Sequence, residues 1–332
     1  MLEVATLAGV SVKTVSNVVN HYVHVSTATR VRVQSALDEL GYRPNLSARS
    51  LRGGQSGLIA LALPELDFPY FAELARHIVQ AAEAHGWTVL IDQTDGRAER
   101  EKLVMDGIRD QLIDGVIFSP LVTGARELAA RRDTTPMVLL GERVHHGTMD
   151  HVGIDNVAAA QTVVAHLATL GHTRIAAIGE QRNRRGETAR LRLQGYLAGL
   201  QKAGLPFDPT LVMAAASYHR ADGAAAMTEL LALGDPPDAV FCFNDMLAIG
   251  ALRTLRDRGV RVPEDVAVVG FDDIEESSYS APGLTTIRPD KARIASTSIA
   301  LLAARLDGGG GPSRDVTERF DLVVRRSTAS PS

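Results

Sequence analysis

From Leu58 onward the chain repeats one pattern: a short run that is apolar over almost its whole length, then a longer stretch with helical periodicity. The apolar runs are Leu58 to Leu63, Thr88 to Ile91, Val116 to Phe118, Met137 to Leu140, Ile175 to Ile178, Leu211 to Ala214, Ala239 to Phe243 and Val266 to Val269, with a last one at about Phe320 to Val324. A strand with one wet face alternates apolar and polar residues. A strand that does not alternate is covered on both faces, as in a parallel sheet lying between layers of helix. The repeats use more residues than one such sheet needs, so the pattern predicts two doubly wound lobes. Ligands of these sheets bind at the carboxyl ends of the strands.

The first fifty residues follow a different rule. Glu3 to Ala8 reads as a short helix, Gly9-Val10 as a turn, and Val12 onward as a second helix behind Ser11, whose hydroxyl is placed to cap it. A third helix starts behind Ser26, carries Val33, Leu37 and Leu40 on one face, and stops at Gly41. Three short helices with a glycine turn between the first two form the helix-turn-helix pattern. A fourth candidate helix, Asn45 to Leu51, precedes Gly53-Gly54-Gln55-Ser56, a stretch too flexible for a packed element. The division expected is therefore a head over residues 1–44, a hinge and linker over 45–56, and a body over 57–332.

Charge supports the division. Residues 1–52 hold Lys13, Arg30, Arg32, Arg43, Arg49 and Arg52 against Glu3, Asp38 and Glu39, a net +3, which leaves 29 basic against 36 acidic residues, or −7, in the rest. A basic head on an acidic body suits a local phosphate-binding surface. No apolar run approaches the length of a membrane span, and the start shows no export signal, so the expected location is the cytoplasm, away from membranes. The single cysteine, Cys242, lies in the apolar run Ala239 to Phe243 and reads as a buried structural thiol.

With these features in view, the sequence resembles the LacI/GalR family of transcription repressors. The resemblance is carried, in family order, by Val4-Ala5, Ala8-Gly9-Val10-Ser11, Thr14-Val15-Ser16, Leu40-Gly41-Tyr42-Arg43-Pro44-Asn45, Ala48-Arg49-Ser50-Leu51, Gly153-Ile154-Asp155-Asn156, Asn244-Asp245, Val269-Gly270-Phe271-Asp272-Asp273 and Leu284-Thr285-Thr286-Ile287. It implies an all-α head, a hinge helix that folds on DNA, and a body like a periplasmic sugar-binding protein, acting as a homodimer. The implied lobes are about 57–156 plus 285–317 and about 157–284 plus 318–332. Relatives usually carry several more residues before Glu3, including a Thr that caps the first helix, so a misassigned or shortened start is an expectation here.

In the second helix, spacing turns Val12, Lys13 and Asn17 outward and Val15 and Val19 inward. Lys13 can donate to guanine, Asn17 can pair with adenine and Val12 can touch a thymine methyl. Asn17 stands where many relatives carry arginine, so their operator sequence does not transfer. Ser11, Thr14 and Ser16 are placed for phosphates, although Ser11 is equally needed as a cap. Asn45, Ala48, Arg49 and Leu51 complete the expected DNA-contacting set. The family's matching leucine wedges into the minor groove and kinks the duplex, which is the role implied for Leu51; the alternative is that it packs on the body's first strand.

For the body, the resemblance implies a cleft in which Arg192 clamps ligand hydroxyls or carboxylates. Asn244 and Asp272 complete a polar triad, and Tyr70, Phe71 and Tyr218 supply apolar walls. Asp272 or Asp273 could instead cap a turn, Asn244 could cap the helix it precedes while still facing ligand, and Phe71 could be core. Asp155-Asn156 reads as a helix start. The expected partners are pseudo-palindromic operator DNA and a small-molecule effector, a sugar or sugar derivative by family precedent, with no cofactor or metal. Against an enzyme on a doubly wound fold, the sequence shows no phosphate loop, no Gly-x-Gly-x-x-Gly after a strand, no nucleophile elbow and no metal-spaced His cluster beyond His145-His146. A solute-binding protein of a transporter would share the body but have no use for the head.

Overall fold

The computed structural model describes residues 1–19, 22, 24–42, 56–107, 113–142, 147–181 and 186–329. They form two compact units, Met1–Ser56 and Gly57–Ser332.

In the first unit, helices α1 (Leu2–Ala8), α2 (Val12–Val19) and α3 (Thr27–Glu39) close on Val4, Ala5, Ala8, Val15, Val18, Val33, Ala36 and Leu37. Gly9 ends α1 in the left-handed region at φ 61°, a geometry that costs glycine little. Ser11 Oγ accepts the Thr14 amide at 3.1 Å, and Ser26 Oγ accepts that of Thr29 at 3.3 Å, so both expected caps form. Two positions differ from expectation. Val18, three residues after Val15, is the second buried anchor of α2, while Val19 is only half-buried; Leu40 sits at the end of α3 and is exposed.

The second unit holds two six-stranded sheets. The first has the order β11-β5-β4-β3-β1-β2, from β1 (Leu58–Leu63), β2 (Thr88–Gln93), β3 (Gly115–Phe118), β4 (Met137–Leu140), β5 (Asp150–Ile154) and β11 (Asp315–Glu318), and every pairing is parallel. The second has the order β12-β10-β9-β8-β6-β7, from β6 (Ile175–Glu180), β7 (Val212–Ala214), β8 (Ala239–Cys242), β9 (Ala267–Phe271), β10 (Thr285–Pro289) and β12 (Phe320–Val323), parallel except for β12. Between the strands run α4 (Pro69–Glu83), α5 (Ala98–Met105), α6 (Ala125–Ala129), α7 (Asn156–Thr169), α8 (Glu187–Ala203), α9 (Arg220–Leu231), α10 (Asp245–Asp257), α11 (Glu275–Tyr279) and α12 (Lys291–Leu306). Cys242 is fully buried on β8, and burial pushes its thiol pKa up.

The chain passes between the sheets three times: after β5, after β10 and between β11 and β12. The middle passage corrects the expected boundary. Thr285–Pro289 pairs with β9 in the second sheet, so the chain returns to the first lobe at Asp290, not before Thr285. From there α12 packs against α4 and the first sheet.

Candidate functional site

A cavity opens between the lobes at the carboxyl ends of β1, β3 and β4 on one side and β6, β8 and β9 on the other. Tyr70, Phe71, Arg192, Tyr218, Asn244 and Asp272 all line it. Each is delivered by a local cause. Asp155 caps α7 by accepting the Ala158 amide at 2.8 Å, which leaves Asn156 at the first helical position with its side chain inside. Asn156 Oδ1 then accepts Nε of Arg192, on α8, at 2.8 Å. The guanidinium also donates to the Phe243 carbonyl, lies 3.4 Å above the Phe271 ring, and places Nη2 3.9 Å from Asp272 Oδ1. A planar cation stacked and bonded on several sides has one orientation available.

Asn244 caps its helix and borders the cavity. Its Oδ1 caps α10 through the Leu247 amide at 2.8 Å, and its Nδ2 donates to the Tyr218 carbonyl at 3.0 Å, while the side chain borders the cavity. Asp272 follows β9 with φ 112°, and Asp273 follows it with φ 45°. Two successive non-glycine residues in this region cost about 1–3 kcal/mol each, a strain that persists only where the surroundings enforce it. Burial pushes the Asp272 carboxyl up to about 8, with Asp245 and Glu142 adding to the rise and Arg192 and Lys291 opposing it. The shift favours its protonated form, which can donate as well as accept. Burial likewise pushes up the phenols of Tyr70 and Tyr218; the latter donates to the Gly179 carbonyl at 2.6 Å. Phe71 meets Tyr70 and Phe68 edge-on or tilted, with ring centres 5.4 and 5.6 Å apart, so one wall is aromatic.

The first lobe adds residues that the sequence reading passed over. Glu142, just after β4, accepts Asn156 Nδ2 at 2.9 Å and the Thr188 hydroxyl at 2.7 Å, reaching across to the other lobe. Glu65, just after β1, lies 3.2 Å from His219 Nε2, again across the cleft. Ser119 follows β3 at the same level. Their signal was position: each is the first polar residue beyond an apolar strand, or close to it.

In the head, Ser11, Val12 and Lys13 are exposed at the start of α2, while Thr14, Ser16 and Asn17 are half-buried. Val15 and Val18 fix the opposite face. Asn45, Ala48, Arg49 and Leu51 lie outside the described residues.

A three-helix head carrying a helix-turn-helix, joined to a two-lobed α/β body with a polar cleft, defines a ligand-responsive DNA-binding regulator. Residues 1–45 match the model of bacterial regulatory proteins of the lacI family, and residues 164–328 match the periplasmic binding protein-like domain. The HTH-type transcriptional repressor CytR of Escherichia coli strain K12 is 34% identical over 99% of this chain and 96% of its own length. Among solved structures, the lac repressor dimer bound to operator and the anti-inducer ONPF is 30% identical with a TM-score of 0.86, covering 99% of each chain. The complex of the transcriptional regulator CelR with cellobiose is 31% identical with a TM-score of 0.74, covering 98% of each chain. The chain belongs to the LacI family of DNA-binding transcriptional regulators.

Proposed function

We propose that this protein is a cytoplasmic repressor. As a homodimer it reads a pseudo-palindromic operator through α2 and residues 45–51, and a sugar or sugar derivative held between the lobes sets its operator affinity. The observation that carries the ligand reading is the cleft itself. An oriented guanidinium, an amide and a buried carboxyl converge beside an aromatic wall, the arrangement that pairs adjacent hydroxyls on one face of a ring and covers its apolar face on the other. The CelR complex holds a sugar, cellobiose, in a protein of this fold. Ligand that favours one lobe arrangement shifts the population, and whatever separates the hinge segments of a dimer then changes DNA affinity by linkage.

The test is gel retardation with DNA from the protein's own promoter region, repeated with D-ribose, D-glucose, cellobiose and adenosine. Retention of a discrete complex, altered by at least one sugar, is the expected result; no binding to any such DNA defeats the repressor reading, and a response to adenosine alone defeats the sugar. Leu51→Ala is expected to weaken operator binding by at least about tenfold, because without the wedge the duplex is not kinked and the added contacts that outweigh the few kcal/mol of unstacking are lost, while ligand binding stays intact. Unchanged DNA bending by that variant would remove the wedge role.

A further inference from the structure

Lys291 is the first residue of α12, immediately after the chain returns to the first lobe, and its side chain is 10% exposed. Its ammonium has three protons and three acceptors. Nζ donates to the Asp272 carbonyl at 2.7 Å and the Asp273 carbonyl at 2.9 Å, and lies 2.7 Å from Glu73 Oε2 on α4. The other oxygen of Glu73 accepts the Glu275 amide at 2.9 Å, at the start of α11, whose N-cap residue Ile274 gives no side-chain cap. Two first-lobe side chains of opposite charge thus grip both ends of residues 272–275 in the second lobe. These are backbone bonds, and the backbone they hold is the strained one: Asp272 and Asp273 both have positive φ. Turning the two carbonyls toward one cation fixes the peptide planes, and those planes aim the Asp272 carboxyl at the cavity.

We infer that Lys291, with Glu73 as its counter-ion, is a positioning residue of the effector site, holding the Asp272-Asp273 turn in the conformation that presents the Asp272 carboxyl to ligand. The inference rests on the reading of the cleft as the effector site. It assigns a site role to residues that reach the site through the main-chain atoms of that turn and, for Lys291, across the Tyr70 ring, whose centre lies 5.8 Å from the ammonium. Lys291→Met keeps length and apolar packing but removes all three donors. Lys291→Arg keeps the charge and enough donors for both carbonyls.

The experiment uses the full chain with D-ribose, D-glucose, cellobiose and adenosine as probes in titration calorimetry. It is joined to amide hydrogen exchange of residues 272–275 without probe. The probe that binds the wild type best is expected to bind K291M at least about tenfold more weakly, the scale of lost hydrogen bonds to a charged group. K291R is expected to recover most of that binding, and exchange should quicken in K291M but not in K291R. Wild-type affinity in K291M, or unchanged exchange, overturns the inference. If no probe binds the wild type, the sugar reading fails while the exchange comparison still decides the role of Lys291. Should K291M not fold, E73Q is the second variant: it keeps an acceptor for the Glu275 amide and loses the counter-charge. A smaller loss in the same direction supports the inference, and no loss in binding or exchange overturns it.

Discussion

At the scale of single residues, burial holds two of the body's carboxyl groups, Asp245 and Asp272, above the usual carboxylate range. Asp245 is fully buried and accepts the Thr286 hydroxyl at 2.6 Å, the Ser277 hydroxyl at 2.7 Å and the Ile274 amide at 3.0 Å; burial outweighs these bonds and pushes it up to about 7. Asp272 is pushed up to about 8 by the same cause. A raised carboxyl pKa lowers stability as pH rises, because between the unfolded value near 4 and the folded value the unfolded chain has released a proton that the folded chain still binds. The contribution of these two groups to stability is therefore expected to fall from about pH 4 to about pH 8 and then level off. Asp272→Asn should flatten the upper part of that slope in urea titrations at several pH values, and a slope unchanged in the variant would contradict the assignment. Arg192 is the complementary case: Arg192→Met leaves Asn156 Oδ1 and the Phe243 carbonyl without their donor and is expected to cost about 1–3 kcal/mol for each buried acceptor left unsatisfied. The places of Asn244 and Arg192 at the cavity were legible because each sits in a recognisable run. Glu142 and Glu65 were not, since a lone acid after a strand is usually solvated, and only the second lobe's approach gives these two partners.

At the scale of elements, the strands that sequence revealed are those made of apolar residues, whether buried throughout, as β1 and β8 nearly are, or partly exposed at a sheet edge, as β2 is. β5 went unseen because it carries Asp150 and His151, both buried. Both are met from far along the chain: Asp150 by Arg305 at 2.8 Å, and His151 Nδ1 by Asp315 Oδ1 at 2.7 Å. Polar residues paired across more than 150 positions leave no periodicity to read, and β11, which supplies Asp315, was hidden for the same reason. Helix packing was equally illegible where glycine does the work. On α10 a Cβ at Gly250 would come 2.0 Å from the Arg220 carbonyl, and on α9 a Cβ at Gly223 would come 2.0 Å from that of Leu247. The two helices therefore cross backbone to backbone. Gly250→Ala meets main chain and not a side chain that can turn away, so it is expected to cost at least about 1–3 kcal/mol, as overpacking does. Thermal unfolding would show this as a drop in Tm of several degrees; an unchanged Tm would mean the helices separate freely.

At the scale of the whole molecule, the uneven charge separates two tasks. The head carries +3 within residues 1–52 and the remainder −7, so the body repels the phosphate backbone that the head must approach. This division was plain from the sequence, since the switch from helical caps to doubly covered strands coincides with the change in charge sign and the boundary between the two compact units falls at Ser56. A body fragment beginning at Gly57 is accordingly expected to bind no DNA even at low salt. The full chain should bind with an affinity that falls steeply with salt, by about 0.9 logarithmic units per neutralised phosphate for each tenfold rise. If a dimer presents two copies of α2, an operator with both half-sites should show roughly twice the salt slope of DNA carrying one, because each head releases its own counterions. Lys13→Ala, which removes an exposed cation at the start of α2, should lower affinity and lessen preference for the operator over unrelated DNA if the lysine reads a base. If it contacts only phosphate, affinity should fall alike on both DNAs, and the comparison of the two sequences decides between these roles for a single side chain.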